Sequence, residues 1–208
     1  MTSIDEYRDL IKMIPVNEQA SIIKKIVWNK ESYDENIMKS IFGDNEIVEL
    51  SRKDVCSEPN IKKKIIMVLM WGYPNGGRGN NINNVMKQLE QLCDLLRSVN
   101  GKNLTKEQAG KLLLELENIR GLGISTWSKL LYFFNVSIDT NRCQIFDQKI
   151  VDSLNKKQFQ QLGNEEWKQD INHYYQYIEL VKRIADKMKV LPEQIELFLF
   201  YFNLYYKF

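Results

Sequence analysis

The most constraining feature of this chain is the spacing of its apolar residues, which recur every three to four positions over most of its 208 residues. Such spacing places an apolar stripe along one face of a helix. Only ten glycines and four prolines interrupt it, so little stands in the way of long helices. We therefore expect an all-α fold, in which only residues 47–50 suggest a short strand.

The apolar stripe divides into successive helical segments. The pattern predicts helices over residues 4–14, 17–28, 33–42, 61–71, 82–99, 106–119, 124–134, 148–154 and 165–188, and a last helix that begins at Pro192. For the helix at 17–28 the predicted buried stripe is Ile22, Ile23, Ile26 and Val27. No repeat or low-complexity linker divides the chain, so we expect residues 1–208 to form a single compact, two-lobed domain.

Composition excludes several classes of protein. The net charge of +2 and the pI near 8.3 neither require nor exclude a nucleic acid partner, so any basic surface must be local. Three distant cysteines, without a Cys-x-x-Cys pair, argue against a zinc ribbon, an iron–sulfur cluster or a disulfide framework. The lone His173 has no neighbouring ligand. We expect a monomeric cytoplasmic protein with no cofactor, metal or membrane association.

The most informative segment contains a Gly-Leu-Gly turn between two predicted helices. This arrangement predicts a helix-hairpin-helix over about residues 106–135. Gly121 and Gly123 would let backbone N–H groups approach a phosphate, and the helix that begins at Ile124 would add its positive end. These three residues are therefore predicted to bind the DNA backbone without recognising its sequence.

The hairpin and the residues after it resemble a known family. Gly-Leu-Gly-Ile-Ser at 121–125, followed by Ile-Phe-Asp at 145–147, resembles the motif of the helix-hairpin-helix DNA glycosylases. The nearest subgroup is the short bacterial proteins of the 8-oxoguanine DNA glycosylase fold, because Trp127 and Lys-Leu-Leu-Tyr-Phe at 129–133 also fit. The resemblance covers residues 119–154 and implies a loop and helix at 136–154 that carry a catalytic Asp147.

The implied role of Asp147 follows from glycosidic chemistry. Positive charge develops on the sugar as the base departs, and a fixed carboxylate stabilises it. Asp147 could also be a helix N-cap, which is compatible with catalysis. The interval from Ser125 to Asp147 is longer than the family pattern, with the extra residues at 136–144, and Asp139 in that loop is the rival carboxylate.

The resemblance also bears on strand cleavage. Family members that nick DNA carry a Schiff-base lysine where this chain has Ser125, which favours a monofunctional glycosylase. Lys129 lies one helical turn further along the same face and would restore lyase activity if its side chain reached back. We expect Lys129 instead to be solvated or to contact a phosphate.

Two further segments supply candidate substrate contacts. The last helix resembles the closing helix of 8-oxoguanine glycosylases, which implies that Phe200 stacks on the extruded base and that Glu196 contacts its edge; Phe200 could equally be plain core. Trp127 is expected to join them in the base pocket. In the glycine-rich loop at 72–81, Arg78 would meet a phosphate or fill the gap left by the base. Asn80 and Asn81 would contact the partner base that is left unpaired on the opposite strand. The alternative is a plain connector.

The resulting functional hypothesis is base excision in DNA repair, on double-stranded DNA that contains a modified base. The base must be extruded, because its bond to the sugar is shielded in a stacked duplex. An oxidised purine such as 8-oxoguanine is implied by the resemblance, and a bulky modified base of phage DNA, which would indicate phage defence, is the other possibility. The alternatives are a non-catalytic DNA-binding module and a helical interaction protein in which Gly-Leu-Gly is only a turn.

Overall fold

The computed structural model describes residues 2–28, 30 and 33–205, and helices dominate this part of the chain. The α-helices are α1 (Arg8–Lys12), α2 (Lys25–Trp28), α3 (Glu35–Phe42), α4 (Arg52–Ser57), α5 (Ile61–Gly72), α6 (Asn81–Met86), α7 (Leu89–Val99), α8 (Lys106–Glu117), α9 (Ile124–Phe133), α10 (Gln148–Asn155), α11 (Ile171–Met188) and α12 (Pro192–Tyr205). Short 3-10 helices cover Ile4–Tyr7, Val16–Glu18 and Gln160–Leu162. The all-α fold class predicted from the sequence is confirmed.

Five short strands form two small sheets beside the helices. β1 (Ala20–Lys24) pairs antiparallel with β2 (Ile47–Ser51). β3 (Asn103–Leu104) runs parallel to β4 (Ser137–Ile138), which pairs antiparallel with β5 (Asn141–Arg142). The strand expected at 47–50 is confirmed. Within the described ranges, no helix is both long and apolar enough to span a membrane.

The helix predicted over 17–28 is wrong in its central part, because β1 occupies it. Ile23 pairs with Val48 of β2 and is fully buried, whereas its neighbour Ile22 is 63% exposed. Alternation of buried and exposed side chains is the strand period, and β-branched isoleucine favours it. Ile26 is 84% exposed, so the predicted inward stripe does not form.

Two other predicted helices have different bounds. The segment at 82–99 is two helices, α6 and α7, and the helix predicted from 165 begins at Ile171. Asp170 precedes that start and its carboxylate accepts the backbone N–H of His173 at 2.8 Å. An aspartate N-cap of this kind satisfies an N–H that the first helical turn leaves without a partner, which fixes where α11 begins.

The core surrounds α5 and α9, which contact each other. Every residue of α9 from Thr126 to Phe133 is buried. A helix that is buried on all sides carries even its polar side chains into the interior. On the far side, α12 packs against α10 and α11. This layering brings the last helix of the chain close to the end of the hairpin segment.

In the segment predicted to be a hairpin, a tight turn joins α8 to α9. Thr105 and Gln108 form the expected capping box at the start of α8. Gly121 has a φ of +91°, which strongly favours glycine, and an added Cβ would lie 2.5 Å from the backbone oxygen of Asn81. The turn therefore packs closely against the first residue of α6.

The extra residues between α9 and Asp147 form a β-hairpin. β4 and β5 pair with each other, and the N–H of Cys143 donates to the carbonyl of Val136 at 2.9 Å. The chain thus returns to α9, where the backbone N–H of Phe146 donates to Ser128 Oγ at 3.1 Å. The insertion closes on itself, so its length does not displace Asp147 from α9.

Candidate active site at the end of the hairpin helix

Asp147 is the N-cap of α10. Its Oδ1 accepts the backbone N–H groups of Lys149 and Ile150 at 3.1 and 3.2 Å. Both bonds use the same oxygen, and Oδ2 lies 3.4 Å from Lys129 Nζ. The N-cap interpretation of Asp147 is therefore confirmed, and it leaves one carboxylate oxygen directed at a lysine.

Lys129 reaches back along α9 rather than out to water. Its side chain is only 5% exposed, and Nζ donates to the Ser125 carbonyl at 2.9 Å. The stem runs beside Gly72, where an added Cβ would lie 2.8 Å from Lys129 Cδ. The expectation of a solvated lysine is wrong, because α9 is buried and the glycine leaves room for the stem.

Ser125 lies at the opening turn of α9 and is half-buried. Its hydroxyl accepts a hydrogen bond from Gln169 Nε2 at 2.8 Å, and the same amide lies 3.3 Å from the carbonyl of Phe146. Through these contacts Gln169 ties the hairpin to the chain just before Asp147. Ser125 thus supplies its carbonyl to Lys129 while its hydroxyl is held by an amide that sequence reasoning did not identify.

Lys129 and Asp147 line a cavity of about 230 Å³ between α5, α9 and α12. Predicted residues Phe200 and Glu196 also line it, and Phe200 is partly buried and packs against the core. Lys149 Nζ lies 4.6 Å from the centre of the Phe200 ring. The other lining residues are Gln19, Ser21, Arg52, Trp71, Gly72, Pro74, Ile145 and Lys149.

A buried ion pair borders the same cavity. Arg52 Nη2 donates to Glu196 Oε2 at 2.8 Å, and both side chains are 1% exposed. Arg52 Nε donates to Gln19 Oε1 at 2.6 Å, and the guanidinium lies against the rings of Trp71 and Tyr132. Sequence reasoning missed Arg52, since an arginine in a polar segment ordinarily indicates surface.

The ion pair shapes the protonation of both partners. Burial raises the pKa of Glu196 to about 7, while the attraction of Arg52 opposes that rise. Burial alone would lower the pKa of Arg52, but the adjacent Glu196 and Tyr132 raise it, so the guanidinium stays charged. The cavity is therefore bordered by a permanent cation and by a carboxyl group that titrates near neutrality.

The assignment of Trp127 to the base pocket is wrong. Its ring is fully buried and packs edge-on against Tyr174, with the ring centres 4.8 Å apart. Trp127 does not line the cavity that Lys129 and Asp147 share. It points to the side of α9 opposite to Lys129, because residues two positions apart on an α-helix are separated by about 200° around the helix axis.

The glycine-rich loop before α6 lies beside the hairpin turn. Arg78, Asn80 and Asn81 are all exposed, and the backbone of Asn81 abuts Gly121. Asn80 Oδ1 accepts from the side chain of Asn83 at 2.6 Å. The loop and the turn therefore form one continuous surface, although the three polar side chains do not line the cavity.

At the hairpin itself, Gly123 is exposed and no atom lies within 4 Å of the position of an added Cβ. It is the N-cap of α9, and Ile124, the first residue of the helix, is half-buried. The N–H groups of a first helical turn have no partner inside their helix. This geometry suits an approaching anion.

Asp139, the rival carboxylate, is exposed in the turn between β4 and β5 and does not line the cavity. His173 is paired with Asp170 at 2.6 Å. No group of three or more His, Cys, Asp or Glu side chains within the described ranges could hold a metal ion. Among the acidic candidates, Asp147 is thus the one placed beside Lys129.

Comparison with known proteins identifies the family. Residues 15–200, about nine tenths of the chain, match the family model described as "Putative 8-oxoguanine DNA glycosylase OGG-like protein". Searches of curated proteins and of solved structures gave no significant match. The matched range includes the hairpin, Asp147, Lys129 and every residue that lines the cavity. The chain therefore belongs to the family of 8-oxoguanine DNA glycosylase-like proteins, whose substrate is DNA.

Proposed function

We propose that this protein excises an oxidised purine, such as 8-oxoguanine, from duplex DNA, with Lys129 as the nucleophile and Asp147 as its proton acceptor. The observation that carries this proposal is the 3.4 Å distance between Lys129 Nζ and Asp147 Oδ2 beside a cavity. A nucleophile within reach of a fixed base is the usual arrangement for covalent catalysis.

The chemistry would proceed in two stages. Asp147 takes a proton from the Lys129 ammonium, and the amine forms a bond to C1′ as the bond from C1′ to the base breaks. The base leaves with that electron pair and takes up a proton, which Asp147 can return. Asp147 then takes a proton from the attached nitrogen and delivers it to O4′ as the C1′–O4′ bond breaks, which leaves a protonated imine between Lys129 and the sugar.

The imine then permits strand cleavage. Loss of a proton from C2′ expels the 3′-phosphate, and water hydrolyses the imine to free Lys129. This sequence makes the enzyme bifunctional, whereas Ser125 had favoured a monofunctional glycosylase. The buried position of Lys129 supports the bifunctional alternative, because its amine faces the carboxylate and not the solvent.

The cavity suits a single extruded base. Its volume of about 230 Å³ lies below the roughly 300–1,000 Å³ of sites for drug-sized ligands. Phe200 offers a ring face on which a flipped base can stack, and this stacking requires Lys149 to move aside. Glu196 borders the same space, as a contact with the base edge requires.

The DNA contacts would surround this cavity. Gly121 and Gly123 present the hairpin turn, and the first turn of α9 from Ile124 supplies backbone N–H groups to a phosphate. Arg78 and the asparagines at 80 and 81 lie on the adjacent surface, where they would meet the opposite strand or the space left by the base.

A non-catalytic DNA-binding module is disfavoured by the Lys129–Asp147 pair. Burying a charged pair costs free energy, and a module that only binds the DNA backbone needs neither partner.

The base-release assay separates the two hypotheses. Duplexes that each contain one modified base are incubated with the protein, with or without later alkali. We expect strand cleavage at 8-oxoguanine before alkali is added.

The other outcomes are equally informative. Cleavage only after alkali would establish a monofunctional glycosylase and remove the nucleophilic role of Lys129. Absence of cleavage on every duplex, together with binding that weakens as salt is added, would support the non-catalytic module.

A further inference from the structure

The buried arginine beside the cavity has one donor group too many for its protein partners. Arg52 Nη2 is paired with Glu196 and Nε with Gln19. Nη1 is buried and has no hydrogen-bond partner among the residues that the structure describes. Tyr132 adds an electrostatic contact and a side-chain hydrogen bond to the guanidinium, and Nη1 still has no acceptor at full hydrogen-bond geometry. A buried, charged N–H group without an acceptor is costly, so its presence calls for an explanation.

The position of Arg52 supplies that explanation. Arg52 lines the cavity, at whose wall Lys129 and Asp147 meet. Its side chain is 1% exposed, and a contact made there is shielded from water. The rings of Trp71 and Tyr132 lie within about 5.3 Å of the guanidinium carbon and restrict its orientation. A rigid, charged donor next to a base-sized cavity is suited to recognising an acceptor on the ligand.

We propose that Arg52 determines substrate specificity by donating a hydrogen bond from Nη1 to a carbonyl oxygen of the extruded base. Glu196 and Gln19 are positioning residues, because they hold the other two guanidinium nitrogens in place. The inference rests on the proposed glycosylase function and narrows its substrate to bases that carry an exocyclic oxygen. Such bases include 8-oxoguanine and hypoxanthine and exclude 1,N6-ethenoadenine.

The physical basis of discrimination is the cost of an unpaired donor. A base with a carbonyl oxygen satisfies Nη1, whereas a base without one leaves it buried and unpaired. Sites built to hydrogen-bond a substrate can reject an analogue that lacks the group by about 10⁴-fold. A charged donor in a water-poor cavity lies at the strong end of this range.

The test compares Arg52 variants on two duplexes, one with 8-oxoguanine and one with 1,N6-ethenoadenine. Removing Arg52 alone would leave the buried Glu196 carboxylate without its ion-pair partner. The variant is therefore Arg52→Met combined with Glu196→Gln. Glu196→Gln alone retains Arg52. Arg97→Met, which removes an exposed arginine on α7, is the matched control. Thermal melting and binding to a duplex with a stable abasic-site analogue establish that each variant is folded.

The expected result is a selective loss. In the double variant, kcat/KM on 8-oxoguanine falls by at least about 100-fold, which is the effect of a lost charged hydrogen bond to the substrate. Its preference over ethenoadenine then disappears, whereas Arg97→Met keeps that preference and Glu196→Gln, which alters the positioning residue but retains Arg52, loses only part of it. A folded double variant that keeps the wild-type preference would overturn the role of Arg52.

Wild-type protein supplies a second test that does not depend on a variant's folding. Release of 8-oxoguanine and hypoxanthine should exceed release of ethenoadenine by at least about 100-fold. Comparable release of all three overturns the inference but leaves the glycosylase function standing. Release of none of them, with or without alkali, overturns both.

Discussion

Lys129 Nζ lies 3.4 Å from Asp147 Oδ2, although Lys129 lies in α9 and Asp147 caps α10, with a β-hairpin between the two helices. Three local features produce this contact. Gly72 leaves room for the lysine stem, the N-cap role of Asp147 fixes one oxygen, and the Ser128 hydroxyl holds the backbone of Phe146. The contact is therefore built by the fold and is not an incidental surface ion pair.

Replacing Asp147 by Asn should separate catalysis from stability. Asn is also a good N-cap residue, so α10 should stay capped and the melting temperature should change little. Base release should slow by about 10²–10⁴-fold, the usual contribution of a general acid–base group. Single-turnover kinetics on 8-oxoguanine duplex measures this rate. Asp139→Asn is the matched control. Slow base release by Asp139→Asn, together with normal release by Asp147→Asn, would assign the carboxylate role to Asp139 instead.

Gly72→Ala should displace Lys129, the proposed nucleophile, while leaving the fold intact. The new Cβ would lie 2.8 Å from Lys129 Cδ, and a flexible side chain can move away cheaply. A misplacement of about 1 Å can cost roughly 100-fold in rate. Gly110→Ala in α8 is the control, because no atom lies within 4 Å of its Cβ; it should gain about 0.5–1 kcal/mol of stability. Equal activity of both variants in base release would contradict this role of Gly72.

The two hairpin glycines should respond differently to alanine. Gly121→Ala forces a side chain into a left-handed backbone and against Asn81, so stability should fall by more than about 1 kcal/mol. Gly123→Ala meets no atom and should cost less than about 1 kcal/mol. It should nevertheless weaken DNA binding, because the methyl group blocks the approach of a phosphate. Chemical denaturation and salt titrations of binding measure both effects; undiminished affinity in Gly123→Ala would place the phosphate elsewhere.

The titration of Glu196 should be visible in the stability of the protein. Its folded pKa of about 7 exceeds the ordinary value of about 4.3, because burial outweighs the attraction of Arg52. The folded state binds more protons than the unfolded state between these values, so the contribution of Glu196 to stability falls as pH rises from about 4.3 to 7. The melting temperature of the wild-type protein, relative to that of Glu196→Gln, should be lower at pH 8 than at pH 5. A constant difference between the two proteins would show that Glu196 does not titrate in this range.

Local sequence patterns predicted the parts of the fold that depend on neighbouring residues. The capping box at Thr105, the turn at Gly121 and the helix start at Pro192 are all decided within a few positions. The strand at Ala20–Lys24 was mistaken for helix, because a cluster of isoleucines fits either period and only pairing with Ile47–Ser51 decides between them.

The candidate site could be predicted only where its residues are close in the sequence. Asp147 was identified as an N-cap from its local pattern, whereas the burial of Lys129 depends on Gly72 from another helix. The Arg52–Glu196 pair joins residues 144 positions apart, and no local pattern signals it. Trp127 was misplaced for the same reason, since helical spacing does not reveal which side of a fully buried helix faces a cavity.

Borohydride trapping shows whether Lys129 forms a covalent bond to the sugar. The protein is mixed with 8-oxoguanine duplex and sodium borohydride, which reduces an imine to a stable amine, and the adduct is mapped by mass spectrometry. We expect an adduct on the peptide that contains Lys129, and none with Lys129→Gln. Base release by wild-type protein without any adduct, or an adduct that persists in Lys129→Gln, would contradict this role of Lys129.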